Sequence, residues 1–105
     1  MSTKRLKNYL RTYRRQAGLT QDQMAYLLGG VDGSKVSRYE RSLRAPLLQT
    51  ALALQAATNV PVHELFAGLY QGIRRGVEVR RKKLARRITA EIDRKQENVT
   101  SRRHE

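Results

Sequence analysis

Four times between residues 18 and 61 the chain closes one helical pattern and opens another, and these breaks constrain its fold more than any other feature. Gly18 is followed by Thr20, Gly29-Gly30 by Asp32, Ala45 by Pro46, and Asn59 by Pro61. Glycine and asparagine accept the left-handed backbone that ends a helix. Threonine, aspartate and proline suit the position where a helix begins. The pieces between the breaks are too short to stand alone in water, so they must pack on one another.

Each piece carries an apolar face. Leu6, Leu10 and Tyr13 recur at i, i+4, i+7, with Lys7, Arg11, Arg14 and Arg15 around them. Gly18 is placed to end this first helix. Thr20-Gln21-Asp22-Gln23 is an S/T-x-x-Q capping box. The helix it opens buries Met24, Ala25, Leu27 and Leu28 and stops at Gly29-Gly30. Val31 is positioned to plug the corner, and Asp32 to cap a third helix over residues 33–42. Val36 and Tyr39 face inward on that helix; Ser34, Lys35, Ser37, Arg38 and Arg41 occupy its other faces. After the loop at 43–46, Pro46 lies near the first turn of a fourth helix holding Leu48, Ala51, Leu52 and Leu54 and ending near Asn59. Pro61 starts a short fifth helix through Val62, Leu65 and Phe66. Tyr9, Tyr13, Tyr26 and Tyr39 read as core-edge residues, and His63 as a surface residue.

After Gly68 the composition shifts. Residues 69–99 read as one long helix with a thin stripe of Leu69, Ile73, Val77, Leu84, Ile88 and Ile92. Gly72 and Gly76 weaken its early turns by about 1 kcal/mol each relative to alanine. A basic block surrounds the stripe: Arg74, Arg75, Arg80, Arg81, Lys82, Lys83, Arg86 and Arg87, with Glu78 as the one acid. Three readings stay open for it: a solvated face, contact with flanking DNA phosphates, or a dimerisation helix with its charges outside. Like charges this dense favour an anionic partner. The polar end at 98–105 is expected to fray.

Charge narrows the function classes. Lys and Arg number 22 against 9 acidic residues, a net charge of +13. That excess is far beyond what solubility needs and favours a polyanion. The absence of cysteine removes disulfides, thiolate metal sites and thiol catalysis. His63 and His104 have no neighbour at metal spacing. The first sixteen residues have no apolar core of a signal peptide, and residues 47–57 are too short and too interrupted to span a bilayer. A soluble cytoplasmic protein is expected, with no cofactor and no enzyme activity, since neither a nucleophile with its base nor a phosphate loop is present.

Helix, turn and polar helix in succession form a unit whose second helix can enter a major groove about 12 Å wide. The first of the pair needs its amides and a polar side chain near a phosphate, and Gln21 is so placed. The second needs small polar residues near its start, met by Asp32, Gly33, Ser34 and Lys35. Ser37 and Arg38 follow one turn later on the same side as Ser34.

Three stretches resemble one known family. Residues 19–25, Leu-Thr-Gln-Asp-Gln-Met-Ala, look like the L-[ST]-Q-x-x-[LM]-A of phage-repressor and Cro-like (XRE-like) helix-turn-helix proteins. Val36-Ser37-Arg38-Tyr39-Glu40-Arg41 is similar to its [IV]-S-x-[IWY]-E-x. Residues 46–66 match the segment of helices four and five without gaps. The resemblance covers roughly residues 4–67 and implies a five-helix domain. It implies that Gln21 bonds a phosphate and braces the recognition helix, and that Arg14 and Glu40 form an ion pair between helices one and three. It also implies that Gly33, Ser34, Lys35 and Arg38 read bases while Arg41 and Arg44 lie by phosphates. The chain departs from the family by one extra residue between Ala25 and Val36, with Gly30 as the insertion. It also has Gly33 where many relatives have glutamine, so one adenine contact is expected to be absent.

The expected fold is therefore all-α: a five-helix repressor-like DNA-binding domain with a long basic C-terminal helix. Residues 1–67 form the helix-turn-helix domain, 68–99 the basic helix and 100–105 a polar tail. The expected function is sequence-specific binding of double-stranded DNA as a transcriptional regulator, a repressor acting as a homodimer. Two other readings remain: an antitoxin that regulates its own promoter while its C-terminal helix holds an acidic protein partner, or a nonspecific nucleic-acid binder.

Overall fold

The computed structural model describes residues 8–30 and 32–103. The roles expected of Leu6, Lys7, Val31 and the last two residues therefore lie outside the described residues. Among the described residues the protein is all helical: α1 Leu10–Gln16, α2 Gln21–Leu27, α3 Ser34–Glu40, α4 Leu48–Thr58, α5 Val62–Leu65 and α6 Ala67–Arg103. The chain divides into two compact units, residues 1–72 and residues 73–105.

The first three helices end on the same device. In a Schellman motif the residue after the C-cap adopts left-handed backbone, and two amides reach back to the last free carbonyls. At α1 that residue is Gly18 (φ 76°), with Gly18 N–H donating to Arg15 O and Leu19 N–H to Arg14 O. At α2 it is Gly29 (φ 81°), with Gly29 N–H on Tyr26 O and Gly30 N–H on Ala25 O at 2.8 Å. At α3 it is Ser42 (φ 58°), with Ser42 N–H on Tyr39 O and Leu43 N–H on Arg38 O. The expectation that α3 continues to Ser42 is corrected here: the helix closes at Glu40. Of the paired glycines only Gly29 has positive φ; Gly30 serves as the residue whose amide closes the motif.

The core of the first unit is one cluster of Leu10, Met24, Ala25, Val36, Tyr39, Leu54, Leu65 and Phe66, with Tyr13, Leu19, Leu28, Ala57, Val60 and Val62 packed around it. Leu10, Met24, Leu54 and Leu65 are fully enclosed, and each stabilises the fold by about 1.5–3 kcal/mol through burial. Leu54→Ala at such a site costs about 2–5 kcal/mol. Several apolar residues assigned to buried faces lie outside the cluster. Leu27, Leu48 and Leu52 are exposed, as is Tyr26, at 79%. The helices are short, so each can place only two or three residues against the centre. In α4 these are Ala51 and Leu54, and in α2 Met24 and Ala25.

The segment from Asn59 to Pro61 turns on side-chain bonds. Asn59 is left-handed (φ 58°), Val60 N–H donates to Thr58 Oγ1, and Val62 N–H donates to Gln55 Oε1. Tyr9 N–H donates to Leu65 O at 2.8 Å, tying the entry to α1 against α5.

Helix α6 starts two residues before the expected boundary and runs four residues past it. No glycine or proline lies between residues 77 and 103 to stop it. In the second unit every residue from 73 to 97 is exposed except half-buried Gly76. No helix among the described residues is long and apolar enough to cross a membrane.

Candidate nucleic-acid interface

The interface is built on how α3 is fixed to α2. Thr20 caps α2 in a complete capping box: Gln23 N–H donates to Thr20 Oγ1 and Thr20 N–H to Gln23 Oε1. Both bonds depend only on residues three apart, which is why the sequence pattern locates the start of α2 to the residue. Asp22, in the first turn, then uses its carboxylate across the motif, accepting from Gly33 N–H at 2.8 Å.

That bond brings the start of α3 against α2. Gly33 occupies the N-cap of α3 and is buried. A Cβ at this position would stand 2.7 Å from Gln21 Cβ and 2.9 Å from Gln21 C, closer than packed carbons approach. Gly33 has no side chain, its amide is taken, and at this place in the motif it lets two helices touch. Asp32, expected as the N-cap, sits one residue earlier and still satisfies the helix start, with Oδ1 accepting from Ser34 N–H at 2.8 Å. Hydrogen bonds from Ser34, with Arg38 and Lys35 nearby, hold the Asp32 carboxyl below the usual carboxylate range.

Behind α3 lies a polar lock. Arg14 is buried in α1, donating Nε to Glu40 Oε2 at 2.5 Å, Nη2 to Oε1 at 3.3 Å, and Nη1 to Leu19 O at 2.7 Å. Gln21 Nε2 donates to Glu40 Oε1 at 3.2 Å. The Glu40 side chain is 3% exposed and collects donors from α1 and α2 together. A buried charge is tolerable only when its lone pairs are met in this way. Asn8 adds a fourth tie, with Nδ2 donating to Tyr39 O and, at 3.2 Å, to Ser42 Oγ. The resemblance implies that Gln21 braces the recognition helix but does not name Glu40 as its partner, and no local pattern marks Asn8 or the Asp22 bond to Gly33. Each is set by distance across the fold rather than by local spacing.

The opposite face of α3 is open. Ser34, Lys35 and Arg38 are exposed, as is Arg41 at the C-cap, and Ser37 is half-buried. At 100° per residue Ser34, Arg38 and Arg41 fall within about 60° of one another. Arg41 Nε lies 3.4 Å from Ser37 O, against its own helix. Arg44, in the loop after α3, is also exposed. The result is a short helix with hydroxyl, ammonium and guanidinium donors on its exposed side. Its inward side is Val36 and Tyr39, 1% and 6% exposed. No group of side chains suited to hold a metal ion occurs among the described residues.

Compared with known families, residues 5–67 match the model of a helix-turn-helix domain, more than half of the chain. No curated protein matches the chain.

Proposed function

The chain belongs to the helix-turn-helix domain family, and on that premise we propose that it regulates transcription by binding a specific site on duplex DNA, with α3 as the recognition helix. The observation that carries this reading is the two-sidedness of α3. Its rear is fixed by buried Val36, Tyr39 and the Arg14–Glu40–Gln21 lock, while its front offers only polar and basic side chains. Rigid placement of a few donors is what discrimination between bases requires.

Residue roles follow from position. Arg38 and Lys35, exposed on α3, reach base edges, and Ser34 and Ser37 approach from the same helix. Arg41 and Arg44 lie at its far end and contact phosphates, which fix register without reading sequence. Gln21 retains amide hydrogen-bonding capacity beyond its bond to Glu40 and stands at the start of α2, where it meets a phosphate. Asp32 sets the Ser34 amide and, being ionised, keeps phosphate away from that point. Residues 1–67 are the DNA-binding domain in this reading, and 68–99 a helix with a separate task. Two copies on successive major-groove faces, about 34 Å apart, would read an inverted repeat. Occupying a promoter in this way makes the protein a repressor.

Selection of bound fragments from random duplex DNA tests the proposal. An inverted repeat is the expected product, bound at least ~10³ tighter than unrelated duplex. Arg38→Ala should cost about 1–3 kcal/mol on that site and relax preference at one base pair. Equal binding to selected and scrambled duplex would overturn the reading in favour of charge-driven, nonspecific association.

A further inference from the structure

The chain leaves α3 through Ser42, and one side chain from the start of the fold holds it there. The last carbonyls of the helix are taken: Ser37 O by Arg41 N–H, Arg38 O by Leu43 N–H and Tyr39 O by Ser42 N–H. Closing this motif puts Ser42 at φ 58°, a conformation that glycine accepts and a side chain disfavours. Asn8 meets the motif from outside. Its Nδ2 donates to Tyr39 O and, at 3.2 Å, to Ser42 Oγ, while its Oδ1 accepts from Leu10 N–H at 2.9 Å. The amide can face only this way, because Leu10 N–H only donates and Tyr39 O only accepts. One planar group thus joins the start of α1 to the end of α3. Aspartate in its place would lack the donor. Serine can keep the bond to Leu10 N–H but is too short to reach Tyr39 O.

Beyond Ser42 the chain is loosely packed. Leu43, Arg44 and Ala45 are exposed. A cavity of about 130 Å³, lined by Asn8, Tyr39, Ser42, Arg44, Ala45 and Phe66 among others, lies where packed side chains would otherwise fix the loop. Arg41 stands on the other side of Ser42 and belongs to the helix: its N–H donates to Ser37 O at 3.0 Å, and its Nε lies 3.4 Å from the same oxygen. The start of α3 is held separately by Asp22 on Gly33 N–H, and its end at Glu40 by Arg14 and Gln21. Loss of Asn8 therefore frees the path out of α3 without freeing α3 itself.

We propose that Asn8 is a positioning residue for DNA binding. By holding Tyr39 O and Ser42 it fixes the path of the chain out of α3, and so the place from which Arg44 meets a phosphate. It acts through Ser42 and not by its own contact with DNA. The proposal rests on the DNA-binding reading and adds to it a residue outside the helix-turn-helix pair. Lys35, Arg38 and Arg41, on the helical side of Ser42, keep their places without Asn8.

Asn8→Ser in the full chain tests this, alone and combined with Arg41→Gln or with Arg44→Gln. The readout is the slope of log K against log salt, on the selected duplex and on an unrelated duplex of equal length, at a temperature where unfolding curves show every variant folded. In the unsubstituted chain each arginine replacement should lower the slope by about 1 per bound copy. In the Asn8→Ser chain Arg41→Gln should still do so. Arg44→Gln should lower it by less than about 0.3 there, because its phosphate contact is already lost. Asn8→Ser alone should weaken binding of both duplexes by the same factor as Arg44→Gln and leave the ratio between them unchanged. Without DNA, hydrogen exchange should speed up more at the Leu43 amide, bonded to Arg38 O, than at the Leu28 amide, bonded to Met24 O. Equal effects of Arg44→Gln with and without Asn8, or an equal coupling of Asn8 to Arg41, would reduce Asn8 to a stabilising residue and overturn the proposal. So would an unchanged slope for Arg44→Gln in the unsubstituted chain, or exchange accelerated alike at both amides. Equal affinity for the selected and the unrelated duplex would remove the specific-site reading alone, since phosphates are present on any duplex.

Discussion

At single residues, the two glycines that flank the turn of the motif act by different physics. Gly29 is required by its dihedral angle: φ is 81° and nothing lies within 4 Å of where a Cβ would be. Gly33 has ordinary φ of −83° and is required by space. Gly29→Ala should therefore cost about 1–2 kcal/mol through backbone strain alone and leave DNA affinity nearly intact. Gly33→Ala pushes α2 and α3 apart; its cost of about 1–3 kcal/mol should come with a larger loss of affinity, because the recognition helix itself is displaced. Thermal unfolding and duplex titration of the two variants separate these outcomes; equal affinity losses would refute the distinction. The resemblance places Gly33 among the base-facing positions of α3, but neither it nor spacing along the helix registers the Gln21 backbone 2.9 Å from where a Cβ would stand. The Arg14–Glu40 pair was legible, through the resemblance, since both residues sit in its motifs. Glu40→Ala should destabilise by about 3–5 kcal/mol by leaving the Arg14 guanidinium buried without its counterion, and pairing it with Arg14→Leu should recover part of that loss. A double-mutant cycle by denaturant unfolding checks this; strict additivity of the two would show that the groups do not interact.

Among the elements, the ends of helices were legible wherever the signal was local. The Thr20–Gln23 box and the glycines at 18 and 29 marked α1 and α2 because capping involves residues within one turn. The end of α3 was not legible, since a serine rather than a glycine takes the left-handed position. Its support comes from Asn8, 34 residues earlier in the chain. A cap on the outer end of α2 should affect stability more than recognition. Thr20→Ala is expected to cost about 1 kcal/mol, read as a lower denaturation midpoint at unchanged m-value, with the selected duplex still bound. Loss of sequence preference in this variant would mean that the start of α2 positions α3 more directly than the lock at Glu40 does. The extent of α6 was underread at both ends for a different reason. Gly68 shifts the composition but does not end a helix, and the polar residues after 97 include no breaker.

Over the whole molecule, a net charge of +13 attracts any nucleic acid, so affinity alone says little about which residues touch it. Salt dependence separates contact from background, because each neutralised phosphate releases counterions and adds about 0.9 to the slope of log K against log salt. In the first unit the proposed phosphate contacts are Arg41 and Arg44. Arg41→Gln or Arg44→Gln should each lower that slope by about 1 per bound copy, and equally on selected and unrelated duplex. Arg38→Ala should differ, losing more on the selected site than elsewhere, because a base contact carries sequence information and a phosphate contact does not. In the second unit Arg75, Lys82 and Arg86 form a row on the side away from the stripe. Replacing all three with glutamine removes three positive charges and should leave the slope of the unmodified chain if the phosphate contacts belong to the first unit. A slope reduced by about 3 in that variant would place α6 on DNA and make the excess charge of the chain a single continuous footprint. An unchanged slope would confine the phosphate contacts to residues outside that row.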